Sequence, residues 1–120
     1  MKSFLLIVLG LMPLAAQAVE YEIQFENEEV RVSKWKLMPG ETVGLHRDEY
    51  AAVVFALEGG TIRRLEADGS TTDVVFPKGK ATYRPVDSSE ALHRSVNVSD
   101  TPIEAISVEM KTPSKPKLHK

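Results

Sequence analysis

Three side chains of this sequence have types and positions that suit the binding of a metal ion: His46, Asp48 and His93. On an extended strand, residues two apart point to the same face, so His46 and Asp48 can face one pocket while Arg47 faces away. Two histidines with one carboxylate suit Fe(II) and are also acceptable to Zn or Mn, because imidazole and carboxylate are borderline to hard ligands. The candidate chemistry is one divalent ion with open positions for a small ligand. His93 lies far along the chain, so only the fold can bring it to the other two.

The elements that must position these residues are short strands. Alternating or β-branched segments are separated by turns rich in Pro, Gly and Asp, and no window has a sustained helical period of apolar residues. Asp68-Gly69 indicates a tight hairpin because both turn positions tolerate positive φ, and Gly40 after Pro39 suits a type II turn. The sequence predicts an all-β meander with strands at residues 21–25, 30–37, 42–45, 52–57, 61–67, 71–76, 80–84, 95–98 and 103–110.

The spacing around His46 resembles the first motif of the cupin family. That motif is Gly, five residues, His, one residue, His, three or four residues, Glu, six residues, Gly. Gly40, His46 and Gly60 match it. Asp48 takes the second histidine position and Val53 takes the glutamate position. An aliphatic residue at the glutamate position leaves at most three candidate ligands.

The second cupin motif is Gly, five residues, Pro, one residue, Gly, two residues, His, three residues, Asn. It is matched by Gly79, Pro85, His93 and Asn97 if residues 86–92 carry three extra residues. Strict spacing would place Asp87 at the glycine and Glu90 at the histidine. We prefer His93, because the ending with Asn97 is kept and an insertion into a polar loop costs little.

The resemblance spans residues 30–110 and implies a single-domain all-β fold, the cupin double-stranded β-helix or jelly-roll barrel. It implies that His46, Asp48 and His93 face the inside of the barrel and hold one divalent ion, Fe, Mn or Zn, or none if the site is degenerate. Tyr83, two residues before Pro85, is expected to line the ligand pocket, with a core role as the alternative. Cupins of this size commonly pair through edge strands, so we expect a homodimer.

Two functions follow from these residues, and both stay open. The first is a non-catalytic protein that binds a small polar ligand in the barrel, with Asp48 in an exposed turn and the histidines as ordinary polar residues of the barrel mouth. The second is a metal-dependent enzyme, an isomerase, lyase or dioxygenase acting on a sugar or carbonyl compound through His46, Asp48 and His93. The missing glutamate favours the first.

The charge balance gives no support for a nucleic-acid partner. The chain has 15 Lys+Arg against 17 Asp+Glu and a formal net charge of -2, so no broad field attracts nucleic acid or anionic lipid. By strand alternation Arg63, Arg64 and Arg84 are predicted to face solvent, with contact to an anionic substrate as the alternative. The expected partner is a small-molecule ligand. The chain has no cysteine, so disulfides cannot stabilise the fold.

The two ends of the chain are predicted to lie outside the cupin domain. Residues 1–18 resemble a signal peptide, with Lys2 in the positive region, a short apolar run and the small-x-small sequence Ala16-Gln17-Ala18. Residues 19–111 form the cupin domain, and residues 112–120, TPSKPKLHK, form a flexible basic tail. We therefore expect an exported, soluble protein, periplasmic or secreted, without stable membrane insertion after cleavage.

Overall fold

A computed structural model describes residues 19–88 and 90–111, which consist of nine strands and the turns between them. The predicted signal peptide and the predicted basic tail lie outside these residues. In the described residues no helix has the length and apolar character needed to cross a membrane. The strands are β1 (Glu20–Glu26), β2 (Val30–Leu37), β3 (Thr42–His46), β4 (Ala51–Glu58), β5 (Gly60–Leu65), β6 (Thr71–Phe76), β7 (Ala81–Arg84), β8 (His93–Asn97) and β9 (Ile103–Met110).

The strands pair into two antiparallel sheets, which confirms the predicted all-β class. One sheet has the order β1-β2-β9-β4-β7 and the other has the order β3-β8-β5-β6. Only β1–β2 and β5–β6 are neighbours both in sequence and in a sheet; the other pairs, such as β2 with β9 and β3 with β8, join distant segments. The predicted meander order is therefore wrong, and the two sheets wrap around one interior. Every predicted strand is present. The largest boundary shifts are of two residues: β5 ends at Leu65 and not at residue 67, and β8 begins at His93 and not at residue 95, which places that histidine on a strand.

The inward face of β9 changes from apolar to polar along its length. Ile103 and Ala105 are fully buried in the core, Ser107 is buried beside them, and Glu109 lines a cavity. The paired strand β2 changes in the same direction, from Leu37 at the apolar end to a buried serine and then to an arginine. The barrel therefore has one end filled by apolar side chains and one polar end that opens into a cavity.

The turn before β3 ties the strand of His46 to the strand of His93. Glu41 N–H donates to the Met38 carbonyl at 3.0 Å, and Gly40 at the third turn position has φ 79°, which is the predicted type II turn. Gly40 N–H donates to the Asn97 carbonyl at 2.8 Å, and Asn97 Nδ2 donates to the Leu37 carbonyl at 2.9 Å. The motif residues Gly40 and Asn97 thus hold β3 and β8 together.

The hairpin predicted at Asp68-Gly69 exists, but its turn is longer than the tight form. Gly69 N–H donates to the Glu66 carbonyl at 3.0 Å, so residues 67 and 68 are the central positions of the turn. Gly69 follows with φ 91°. Asp68 instead accepts from the Ser70 backbone N–H at 2.9 Å, because a short carboxylate readily bonds the backbone two residues ahead.

Candidate functional site

A cavity of about 470 Å³ lies between the two sheets at the polar end of the barrel. Its wall includes apolar side chains such as Trp35, Ile62 and Phe76. Trp35 and Phe76 pack edge to face with ring centroids 6.2 Å apart, and Trp35 Nε1 donates to Ser107 Oγ at 2.9 Å. The cavity therefore has a fixed apolar wall. Its polar lining includes His46, Asp48, Arg64, Arg84, His93 and Glu109.

The three predicted metal ligands meet at this cavity. One ligand atom from each of His46, Asp48 and His93 can be chosen so that all lie within 4.8 Å of one another. His46 Nε2 lies 3.7 Å from Asp48 Oδ1, and His93 Nε2 lies 3.8 Å from Asp48 Oδ2. The two imidazole rings are 4.3 Å apart between centroids. Glu90, the alternative to His93 under strict motif spacing, is exposed.

Asp48 reaches the cavity from a loop and not from a strand. Strand β3 ends at His46, its register partner across the sheet is His93, and Asp48 follows two residues later. Asp48 N–H donates to Asp87 Oδ2 at 2.7 Å, and the Asp48 carbonyl accepts from Asp87 N–H at 2.9 Å. Only 15% of the Asp48 side chain is exposed, so the alternative of an exposed turn is wrong. The loop at residue 87 is what turns this carboxylate inward.

His46 is oriented by the backbone of its own strand. Its Nδ1 lies 2.7 Å from the Gly44 carbonyl, and a carbonyl can only accept, so Nδ1 carries the proton. In the neutral ring Nε2 is then the free acceptor, on the side of Asp48. Histidine ligands usually donate the other ring N–H in this way. His46 therefore already has the tautomer that a metal ion needs.

His93 is buried, and its environment favours the neutral ring. Burial lowers the pKa of His93, the neighbouring His46 and Arg64 lower it further, and Asp48 and Asp87 oppose them. Its Nδ1 lies 3.1 Å from Arg64 Nη2, which can only donate, so the ring proton is on Nε2 in this arrangement. Asp87 Oδ2 lies 3.5 Å from the same Nδ1. Moving the proton to Nδ1, towards Asp87, would free Nε2 for an ion.

Two arginines that were predicted to face solvent contact the site instead. Arg84 Nη1 lies 2.6 Å from Asp48 Oδ1, and Arg64 Nη1 lies 3.7 Å from Asp48 Oδ2. The prediction holds for Arg63, which is paired with the exposed Asp73. It is wrong for Arg64 and Arg84, because neighbouring residues on a strand point to opposite faces and the register of β7 turns Arg84 inward.

A row of four register partners, three of them charged, crosses the five-stranded sheet beside the cavity. Arg31, Glu109, Ala52 and Arg84 are successive register partners on β2, β9, β4 and β7. Glu109 Oε1 lies 2.7 Å from Arg31 Nε, and its Oε2 lies 3.6 Å from Arg84 Nη2. Sequence reasoning missed Glu109, although the alternation along β9 after Ile103 and Ala105 would place it inside.

At the glutamate position of the first motif, the residue whose side chain faces inward is Ala52 and not Val53. Ala52 is fully buried and in register with Arg84, whereas Val53 is 38% exposed and in register with Tyr83. The motif allows three or four residues between its second histidine position, here Asp48, and the glutamate position. Three intervening residues lead to Ala52, which is the spacing that the structure supports. Tyr83 borders the cavity, but it is 65% exposed. A ligand contact by Tyr83 stays a prediction.

The two imidazoles and one carboxylate are donor types that suit a divalent ion, but the donor atoms must move slightly closer together to bind one. Metal–nitrogen and metal–oxygen bonds of about 2.0–2.2 Å place adjacent donors about 3 Å apart. The distances from Asp48 to the two histidines are 3.7 and 3.8 Å, which side-chain rotation can close. An ion bound through Asp48 Oδ1 would also compete with Arg84, which contacts the same oxygen. His46, Asp48 and His93 would be the ligands, and the missing glutamate would leave further positions open to a ligand in the cavity.

Solved structures share this architecture. A cupin domain from Bordetella pertussis Tohama I aligns with a TM-score of 0.68 and 26% identity, covering 80% of this chain and 96% of that chain. An RmlC-like cupin with a double-stranded β-helix fold from Methanocaldococcus jannaschii aligns with a TM-score of 0.58 and 16% identity, covering 78% and 81%. This chain has the cupin fold. No protein-family model matches this chain.

A protein of Pseudomonas aeruginosa is similar to this chain in sequence. The β-alanine degradation protein BauB of Pseudomonas aeruginosa is 29% identical over 89 residues, which span 74% of this chain and 90% of that protein. The predicted resemblance to small single-domain cupins is therefore confirmed.

Proposed function

We propose that this cupin binds one divalent ion through His46, Asp48 and His93 and uses it to hold a small polar ligand in the cavity. The observation that supports this most is the convergence of the three donors within 4.8 Å, with His46 Nδ1 bonded to the Gly44 carbonyl. A bound ion would supply a Lewis-acidic positive charge to which a ligand oxygen could bind. The protein side chains would orient the ion and provide the apolar wall.

We propose a binding role in preference to catalysis. Among the described residues, three carboxylates near the cavity each have an arginine partner: Asp48 with Arg84, Asp87 with Arg64, and Glu109 with Arg31. The pKa of Asp87 is lowered, because burial is outweighed by the hydrogen bond from Asp48 N–H and by Arg64. A general base at neutral pH works best with a pKa near the working pH. Asp87 is therefore a poor candidate for proton transfer, and the oxygens of Asp48 and Glu109 are already engaged by arginines.

The shape of the cavity supports a ligand with a polar head and a short apolar body. The charged side chains of Arg84, Asp48 and His46 lie near one another, and the Trp35–Phe76 pair forms an apolar wall. The name of the Pseudomonas relative refers to β-alanine degradation, which supports a small organic acid or amino acid as the ligand class.

A second candidate is a metal-dependent enzyme, an isomerase, lyase or dioxygenase acting on a sugar or carbonyl compound. The small number of protein ligands favours it, because catalytic metal sites keep positions open whereas structural sites are closed. In this case His46, Asp48 and His93 would hold the same ion.

The test is elemental analysis of protein purified without chelator, before and after incubation with Zn²⁺, Mn²⁺ or Fe²⁺. We expect about one equivalent of ion in the wild type, and a tenth or less in His93→Ala, because two ligands rarely retain a first-row ion. Arg63→Gln, which alters an exposed arginine on the neighbouring strand, is the matched control and should keep the ion. A wild type that cannot be loaded would overturn the metal site. Turnover of a carbonyl compound by the loaded protein would favour the enzyme.

We also propose that the mature protein begins at Val19, is exported to the periplasm or secreted, and forms a homodimer. The small-x-small sequence at residues 16–18 supports cleavage. Intact-mass analysis of the exported fraction checks the new N-terminus, and a species that retains residues 1–18 would contradict it.

A further inference from the structure

The carboxylate of Asp48 has two competing partners. Arg84 Nη1 lies 2.6 Å from Asp48 Oδ1, and the same oxygen lies 3.7 Å from His46 Nε2, on the side where an ion would bind. The guanidinium is always charged, so it cannot adapt to an ion by losing a proton. An ion that binds Asp48 through Oδ1, the oxygen beside His46, would therefore compete with Arg84 for that oxygen.

Arg84 has a second anchor that keeps it at the cavity when it leaves Asp48. Its Nη2 lies 3.6 Å from Glu109 Oε2, and Glu109 is fixed from the other side by Arg31 at 2.7 Å. Ala52 separates Arg84 from Glu109 in the register, and its small side chain leaves the guanidinium room to turn. The released face of Arg84 would then point to the cavity that it lines.

The local charge changes sign when an ion binds. Without an ion, four carboxylates and three guanidinium groups form one set of ion pairs around the cavity. Arg31 also contacts Glu26, which pairs with Lys111, and these two opposite charges cancel. The set therefore has a net negative charge, which disfavours an anionic ligand. A divalent ion makes it positive. The members are Asp48, Glu66, Asp87, Glu109, Arg31, Arg64 and Arg84.

We propose that Arg84 couples the ion to a small monocarboxylic acid, so that each increases the affinity of the cavity for the other. The ion binds Asp48 Oδ1 and so releases the guanidinium of Arg84. The guanidinium then binds the acid's carboxylate in a bidentate pair, while the acid's apolar body lies against Trp35 and Phe76. A single carboxylate is favoured because Arg64 stays engaged by Glu66 and Asp87 at 2.9 and 3.2 Å. This inference rests on the proposed metal site.

The experiment is a titration of chelator-treated protein with Zn²⁺, with and without saturating propionate, and the reciprocal titration of propionate with and without Zn²⁺. Couplings between sites are typically about 5–150-fold in affinity and must be equal in both directions. We expect a factor in that range for propionate. Propionamide, which has the same shape without the charge, should give none. If Zn²⁺ binds and propionate leaves its affinity unchanged, the coupling is wrong and the metal site stands. If Zn²⁺ does not bind, the metal site itself fails.

The variant that isolates the role of Arg84 is Arg84→Gln, with Arg63→Gln as the control that keeps the coupling. Without propionate, Arg84→Gln should bind Zn²⁺ at least as tightly as the wild type, because Asp48 no longer has a competing cation. The effect of propionate should be lost. Weaker Zn²⁺ binding by a folded Arg84→Gln would overturn the inference, since Arg84 would then support the site and not compete with the ion. If circular dichroism shows that Arg84→Gln is unfolded, Arg84→Lys replaces it and must reduce the coupling, because lysine lacks the bidentate fork.

Discussion

Asp48 is the residue on which the two possible states of the site depend. Its carboxylate forms ion pairs with Arg84 at 2.6 Å and Arg64 at 3.7 Å and lies within 3.8 Å of both histidines, so a metal ion competes with two cations for it. The two histidines differ in whether their ring proton already leaves Nε2 free to bind an ion. His46 already has its proton on Nδ1, whereas His93 has Arg64 on that nitrogen and must shift the proton towards Asp87. The site is thus neither a preformed metal cage nor an ordinary polar surface.

Asp87 should determine how well His93 binds an ion. It is the carboxylate next to His93 Nδ1 at 3.5 Å, and its own pKa is lowered because hydrogen bonds from Asp48 N–H and from Arg64 outweigh the effect of burial. Removing such an outer partner typically weakens metal binding about 10–100-fold. We expect a loss of that size in Zn²⁺ titrations of Asp87→Asn, which can still accept from Asp48 N–H. Asp73→Asn, at an exposed arginine pair, should be unchanged. Equal affinity in the two variants would exclude this role of Asp87.

The burial of His93 should make stability depend on pH. Its pKa is held below the ordinary 6.5 in the folded protein, mainly by burial. Above 6.5 the ring is neutral in both states and the contribution to stability is complete. As the pH falls below 6.5 the unfolded chain takes up a proton that the folded protein does not, so stability is lost towards the folded pKa. Urea unfolding of metal-free protein between about pH 5.5 and 7.5 should show the wild type losing stability relative to His93→Gln on acidification. A relative gain on acidification would mean that the nearby carboxylates stabilise the charged ring.

The elements around the site are tied together at their ends. The loop after β3 and the loop after β7 are linked by two hydrogen bonds between Asp48 and Asp87, and the turn before β3 is bonded to the end of β8 through Asn97. At the other end of the barrel, β4 and β5 meet at Gly59-Gly60. A Cβ at Gly60 would lie 2.7 Å from Ile103 Cγ1. This junction therefore needs glycine for close packing, since neither Gly59 nor Gly60 has a positive φ.

Gly59→Ala should destabilise the barrel. A Cβ there would collide with the Phe76 carbonyl oxygen and lie 2.6 Å from Lys78 N, both of which are backbone atoms that cannot rotate away. Overpacking of this kind typically costs about 1–3 kcal/mol. The matched control is Gly44→Ala on β3, where a Cβ meets nothing within 4 Å and φ is ordinary. Urea midpoints measure both variants. If they unfold at the same urea concentration, the close approach at Gly59 does not limit packing.

At the scale of the whole molecule, the edge strand β1 is the surface that suits pairing. All seven of its residues are exposed, among them Tyr21, Ile23 and Phe25 with about half of their surface in contact with solvent. An exposed edge that carries large apolar side chains favours pairing with another strand. A second copy of the chain is the simplest partner, because most soluble oligomers are symmetric homo-oligomers.

We expect light scattering of residues 19–120 to give twice the mass of the chain at micromolar concentration. Ile23→Lys should shift it towards the monomer, since a charge would be buried at the interface. Val75→Lys changes an equally exposed residue on the edge strand β6 of the other sheet and should leave the dimer intact. A wild type that stays monomeric at every concentration would remove the proposed homodimer.

The sequence alone determined the strands, the main turns and the two histidines. Strand periodicity and turn residues act over a few positions, so the nine strands and the turn at Gly40 were predictable without knowledge of the fold. Motif spacing selected His46. His93 was selected over Glu90 by the ending with Asn97, with three extra residues allowed in the loop before it, and the structure brings both histidines together with Asp48.

Only the tertiary structure decided which neighbours of the histidines face the cavity. A slip of one residue in register moves every side chain of a strand to the other face, and the register is set by pairing between distant segments. Arg84 and Ala52 therefore lie inside, while Val53 and Tyr83 lie towards solvent. The inward position of Asp48 likewise depends on Asp87, a residue that is close to it only in the folded chain. Local pattern thus identified the candidate ligands, and long-range pairing decided which charged side chains surround them.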